Sequence, residues 1–79
     1  MIAAQVTVPS VEISRMVNWC NRNIGQQAGS RDNVDQDRPW HWSMSFRDTT
    51  FYFCEEKYAT MFALRWQRNS KQAEALGGI

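Results

Sequence analysis

The stretch from Trp40 to Trp66 constrains this chain most. Trp40, Trp42, Met44 and Phe46 alternate with His41, Ser43 and Ser45. A period of two, apolar on one side and polar on the other, predicts a half-buried strand. The next run, Thr50 to Cys54, is rich in aromatic residues that suit a pleated surface, so it predicts a second strand. Arg47-Asp48 then forms the turn. Neither Asn-Gly nor Asp-Gly is present, so a longer loop through Thr49 is the alternative. With the two-residue turn, Met44 faces Phe51 and Trp42 faces Phe53 on one side of the hairpin. Ser43 faces Tyr52 and His41 faces Cys54 on the other. A one-residue slip would scatter the apolar set over both faces. Beyond Cys54 the period changes. Glu55 and Glu56 suit the positive end of a helix dipole. Tyr58, Ala59, Phe62, Ala63 and Trp66 then recur as one wide helical stripe, ready to pack on the hairpin.

Upstream, Ile2, Ala4, Val6 and Val8 alternate with Ala3, Gln5 and Thr7, which predicts a first strand stopped by Pro9. Ser10 is a suitable N-cap, with Glu12 in the turn behind it. Ile13, Met16, Val17, Cys20 and Ile24 form a helical stripe with Trp19 on its flank, and Gly25 is the expected stop. The first helix is expected from about Ser10 to Ile24. Residues 26–38 read as a polar loop in which Val34 is the only large apolar residue.

The order is therefore strand, helix, strand, strand, helix. The expected class is α+β: a three-stranded sheet with two helices on one face, like a ferredoxin-like fold lacking its last strand. By that analogy the last strand lies in the middle, antiparallel to both neighbours, and one sheet edge stays open. Residues 1–68 form a single domain, and 69–79 a tail that is a short helix or disordered.

Seventy-nine residues are close to the lower limit for a self-sufficient core. Four Trp, four Phe and two Tyr compensate, because each aromatic buries a large area. The formal net charge of +1 points to no polyanionic partner. Two cysteines make no disulfide framework and suit a reducing compartment. No run is long enough to span a membrane, and no basic-then-apolar leader opens the chain. These features predict a soluble, cytoplasmic protein with no membrane partner.

Three segments, Trp19 to Gly25 (WCNRNIG), Phe51 to Phe53 (FYF) and Glu55 to Trp66 (EEKYATMFALRW), resemble a type of small protein encoded by tailed bacteriophages. There a Trp-Cys helix precedes an aromatic strand and an Ala-x-x-Phe-x-Leu-Arg-Trp helix. The resemblance implies a phage source, and hence the host cytoplasm, but assigns no site.

Catalytic and metal chemistry find little support. The expected register makes His41 and Cys54 cross-strand neighbours, a pair able to activate a thiolate or to give two zinc ligands. No third group stands at useful spacing, and a small Cys beside an exposed His explains the pair. Cys20 belongs to the buried stripe. Asp32, Asn33, Asp35 and Asp37 suggest a calcium loop, but the glycine and closing Glu of an EF-hand are missing. No nucleophile elbow or phosphate-binding glycine loop occurs. The expectation is a non-catalytic protein without cofactor or metal.

Binding remains. An RNA-reading sheet stacks bases on aromatics of its open face. Here the outward set is Gln5, Thr7, His41, Ser43, Ser45 and Tyr52, of which only His41 and Tyr52 can stack, so nucleic acid is the second reading. The first is protein binding. Lys57, Met61, Leu64 and Arg68 are spaced i, i+4, i+7, i+11 and form a stripe away from the core stripe. This stripe is the expected contact surface, for a host factor or for a second copy in a homodimer. Single exposed apolar residues also occur without any such role.

Overall fold

The computed structural model describes residues 1–66. The elements are β1 (Ala4–Pro9), α1 (Ile13–Asn23), a short 3-10 turn (Arg31–Asn33), β2 (Trp40–Met44), β3 (Asp48–Phe53) and α2 (Glu56–Trp66). The strands form one sheet in the order β1-β3-β2, antiparallel throughout. This is the α+β arrangement that the periodicities predict, and β3 lies in the middle, as expected by analogy with a ferredoxin-like fold. The tail expected at 69–79 lies outside the described residues.

Both helices cover the same sheet face. Val8, Trp40, Phe51 and Phe53 from the strands meet Met16 and Cys20 of α1 and Ala59 and Phe62 of α2 in one core. Phe62 is the centre of this cluster. Its ring lies 4.5 Å from Phe51 and 5.5 Å from Phe53, with Trp19 at 6.1 Å and Trp66 at 6.5 Å. The separations fall in the range that favours tilted and edge-to-face aromatic pairs.

The hairpin register differs from expectation by two residues. Trp40 faces Phe53, His41 faces Tyr52, Trp42 faces Phe51, and Met44 faces Thr49. The turn centres on Phe46-Arg47 and is closed by the Ser45 amide donating to the Asp48 carbonyl at 2.7 Å. β2 therefore ends at Met44, and Phe46 stands 92 % exposed with the Arg47 guanidinium over its ring. Trp40, rather than Trp42, is the fully buried tryptophan of the strand; Trp42 and Trp66 are half-buried at the border of the core. A two-residue shift keeps every side chain on its own face, so alternation alone cannot detect it.

Helix α1 starts three residues later than expected. Ser10 does not cap it. Its hydroxyl instead pairs with the Thr49 hydroxyl at 2.8 Å, and its amide donates to the Arg47 carbonyl. Glu12 takes the cap position without a side-chain cap bond. The Ser10 bond thus ties the end of β1 to the buried start of β3. Ser10→Ala is expected to cost about 1 kcal/mol, because Thr49 is wholly buried and loses its partner. An unchanged urea midpoint in Ser10→Ala would show that this bond contributes nothing.

At the other end of α1, Gly25 carries φ +142°, and a Cβ there would sit 3.1 Å from the Pro39 ring. Glycine is therefore required both for the conformation and for the approach of Pro39. The turn delivers residues 26–38 onto the sheet rather than into solvent. Gln27 bridges Trp40 in parallel, and the Ala28 amide donates to the Trp40 carbonyl at 2.7 Å. The Trp40 indole donates to the Gly25 carbonyl at 2.7 Å. Val34 and Ala28 are buried, and the Val34 carbonyl accepts the Met1 ammonium. The loop is thus an ordered flap that closes the Trp40 end of the β2 edge.

Candidate protein-interaction surface

Helix α2 shows two different sides. Ala59 and Phe62 are buried, while Met61 is 40 % and Leu64 58 % exposed. Lys57 is exposed on the same outer side, its ammonium 3.8 Å from the Glu55 carboxylate and 5.3 Å from the Tyr58 ring centre. The helical spacing thus sets Lys57, Met61 and Leu64 outward, where the stripe was expected. Arg68, the fourth member, lies outside the described residues.

The expected open sheet face is organised differently. Tyr52 is buried, His41 is half-buried, and only Ser43 is exposed. The 26–38 flap is responsible: the Ala28 carbonyl lies 3.0 Å from His41 Nδ1, and the Arg31 guanidinium stands 5.5 Å over the Tyr52 ring. The two rings that were to stack bases stack on each other, 6.3 Å apart. A hydrogen bond with the Ser43 side chain lowers the Tyr52 pKa; burial opposes this, and Arg31 lowers it further. Tyr52, His41, Ser43 and Arg31 thus form a polar cluster, not a stacking platform.

His41 and Cys54 are not partners. Tyr52 stands opposite His41, and Cys54 lies past the end of β3 with its amide donating to the Pro39 carbonyl. Burial raises the Cys54 thiol pKa, and the Glu55 charge adds to it, the reverse of an activated thiolate. The Asp-rich run also has a local explanation: the Asp35 carboxylate accepts the Asp37 and Arg38 amides at 2.9 and 3.0 Å, a side-chain-capped turn. Among the described residues, no three His, Cys, Asp or Glu side chains come together.

Burial alone pushes the Cys20 thiol up from 9.0 to about 12. Only the unfolded chain ionises this thiol between those values, so Cys20 supports the fold below pH 9 and withdraws that support as pH rises toward 12. The withdrawal amounts to about 4 kcal/mol across the window. Native protein at pH 8 should expose one thiol to a disulfide reagent, that of Cys54, and both only in denaturant. Two rapid equivalents in the native state would contradict the burial of Cys20.

The sequence reading missed one feature. A cleft of about 300 Å³ opens between the helices, lined by Arg15, Asn18, Trp19, Arg22 and Asn23 of α1 and by Arg65 and Trp66 of α2. Arg15 is engaged by Glu12 at 2.7 Å. The Arg65 guanidinium lies 4.2 Å from the Trp66 ring centre, and the Trp66 indole nitrogen is buried without a hydrogen-bond partner among the described residues. Among the described residues, no acidic side chain lines the cleft. The described carboxylates other than Glu12 sit on the flap, the hairpin turn and the start of α2. The net charge of +1 therefore hides a separation: one end of the helical layer is basic. Arg15, Asn18 and Arg22, at i, i+3 and i+7, were the available signal for it.

Among the described residues no helix is long and apolar enough to cross a membrane. No family model, curated protein or solved structure matches this chain.

Proposed function

We propose that this is a small non-catalytic protein that works by binding another protein through the outer face of α2. In keeping with the resemblance to small tailed-phage proteins, the partner is a host cytoplasmic factor or a second copy of the chain. The observation that carries the reading is the exposure of Met61 and Leu64 on a helix whose other side is committed to the core. Lys57 beside this pair favours an acidic counterpart. Affinity purification from the producing cell, done in parallel with wild type and Leu64→Glu, tests it. A co-purifying protein lost in the variant, with the melting profile kept, is the expected result. Identical sets of captured proteins would refute the proposed surface.

A second reading, binding of nucleic acid, is favoured by the three arginines of the interhelical cleft. It would appear as retention on single-stranded DNA that falls steeply with salt. The aromatic geometry argues against it. Arg65 already covers the Trp66 ring, and the Tyr52 and His41 rings stack on each other. Base-stacking platforms need open ring faces.

A further inference from the structure

We infer that the interhelical cleft takes carboxylate side chains from an acidic segment of the protein partner, with Arg22 and Arg65 as the groups that hold them. The inference rests on the reading of α2 as a protein-binding face and adds the chemistry of the partner. Arg22 and Arg65 come from different helices, α1 and α2, yet line one cleft. Both are exposed, and neither has a salt-bridge partner among the described residues. Arg22 stands in the last turn of α1, where a cation offsets the negative end of the helix dipole. That end carries only roughly half an elementary charge, so it leaves the cleft basic. Trp66 lines the same cleft, and its indole nitrogen is buried without a hydrogen-bond partner among the described residues. An indole N–H only donates, and buried donors are almost always paired. Seating a carboxylate in the cleft, as the side chains there part, gives this donor an acceptor. The second oxygen serves an arginine, which binds carboxylates as a planar fork.

The shape of the basic region selects a polypeptide over a compact anion. Arg15 and Arg22 are seven positions apart, about 10 Å along α1, so the cations form a track and not a single point. Arg15, at the far end, already holds a carboxylate, that of Glu12 at 2.7 Å. The track also adjoins the apolar pair of α2. Arg65 follows Met61 by one helical turn and Leu64 by one residue, so it is a surface neighbour of Met61. One segment can therefore rest apolar side chains on Met61 and Leu64 while its carboxylates enter the cleft. The Arg65 guanidinium over the Trp66 ring leaves that ring closed to nucleic-acid bases. Because the arginines are exposed at the rim, the attraction weakens as salt screens it.

Titration of the full chain with poly-L-glutamate in low salt, followed by tryptophan fluorescence, tests the site. Single-stranded DNA is titrated beside it. Polyglutamate should bind, and Arg22→Gln and Arg65→Gln should each weaken it about tenfold, the order expected when one charge-assisted hydrogen bond is lost. Arg47→Gln, on the hairpin turn and outside the cleft, should bind as wild type does. All three arginines are exposed, so the melting profile should be kept throughout. Failure of polyglutamate to bind overturns the inference. So does equal weakening by Arg47→Gln, which would show diffuse attraction to net charge and no site. DNA bound more tightly than polyglutamate, with the same dependence on Arg22 and Arg65, also overturns it and assigns the cleft to phosphates. In the capture experiment, Arg22→Gln should lose the same protein as Leu64→Glu. Loss on Leu64→Glu alone would leave the proposed function standing and remove only the acidic segment. Polyglutamate held by Arg22 and Arg65, with capture unchanged by Leu64→Glu, would keep the cleft and remove the proposed face.

Discussion

Phe62→Ala is expected to remove a large share of this protein's stability, about 3–5 kcal/mol. The side chain is fully buried and touches four aromatic rings drawn from α1, β3 and α2 itself. It is the point where the sheet and both helices meet. Truncating a core Phe costs about 3–5 kcal/mol through lost transfer energy and the cavity left behind. A chain of 79 residues has a total stability of about 4–12 kcal/mol. The surrounding rings are rigid and sit on three different elements, so collapse into the cavity would require moving a helix. The loss should lie near the upper end of the range. Chemical denaturation followed by tryptophan fluorescence reads it directly. A variant that keeps a cooperative transition with its midpoint unmoved would place the core somewhere other than under Phe62.

The second large effect discriminates between two tryptophans on the same face of the same strand. Trp40→Ala is expected to cost about 3–5 kcal/mol, and Trp42→Ala clearly less, because Trp40 is fully buried and Trp42 only half-buried. Trp40 also stacks on Phe51 at 6.2 Å, and its indole N–H holds the Gly25 carbonyl. Its removal leaves a cavity, strips the carbonyl of its donor and loosens the flap that begins there. The comparison doubles as a test of register. In the pairing expected from the sequence, Trp42 faces Phe53 at the centre of the core; in the structure, Trp40 does. Thermal midpoints in the reverse order, Trp42→Ala below Trp40→Ala, would favour the shifted pairing.

That pair shows where local information stops. Alternation assigned Trp40 and Trp42 to the inner face and His41 and Ser43 to the outer face, and the structure agrees. Alternation has a period of two and is blind to a slip of two. The choice was made by residues distant in sequence: Ser10 binding Thr49, and Gly25 and Ala28 holding Trp40. The same holds for the segment 26–38. Its composition is that of a solvated loop, yet it is fixed on the β2 edge by one glycine conformation, two backbone contacts to Trp40 and burial of Val34. Those contacts in turn close over Tyr52 and His41, so the part of the outer sheet face that holds these two rings is covered.

By itself the sequence determined the class, the order of elements, the central place of β3, the common face for both helices, and the outward stripe of Lys57, Met61 and Leu64. Apart from the place of β3, which came by analogy with a ferredoxin-like fold, these follow from hydrophobic period, which is written into neighbouring residues. Only the tertiary structure decided the hairpin register, the docking of the flap, the separation of His41 from Cys54, and the cleft that joins Arg15 and Arg22 to Arg65. The physical reason is the same in each case. These features depend on which residues meet across long stretches of chain, and that is settled by the free energy of the whole packed core, not by any local pattern. Net charge is the clearest example: the sum of +1 is a property of composition, while a basic end and an acidic end on one helix layer exist only once the chain has folded.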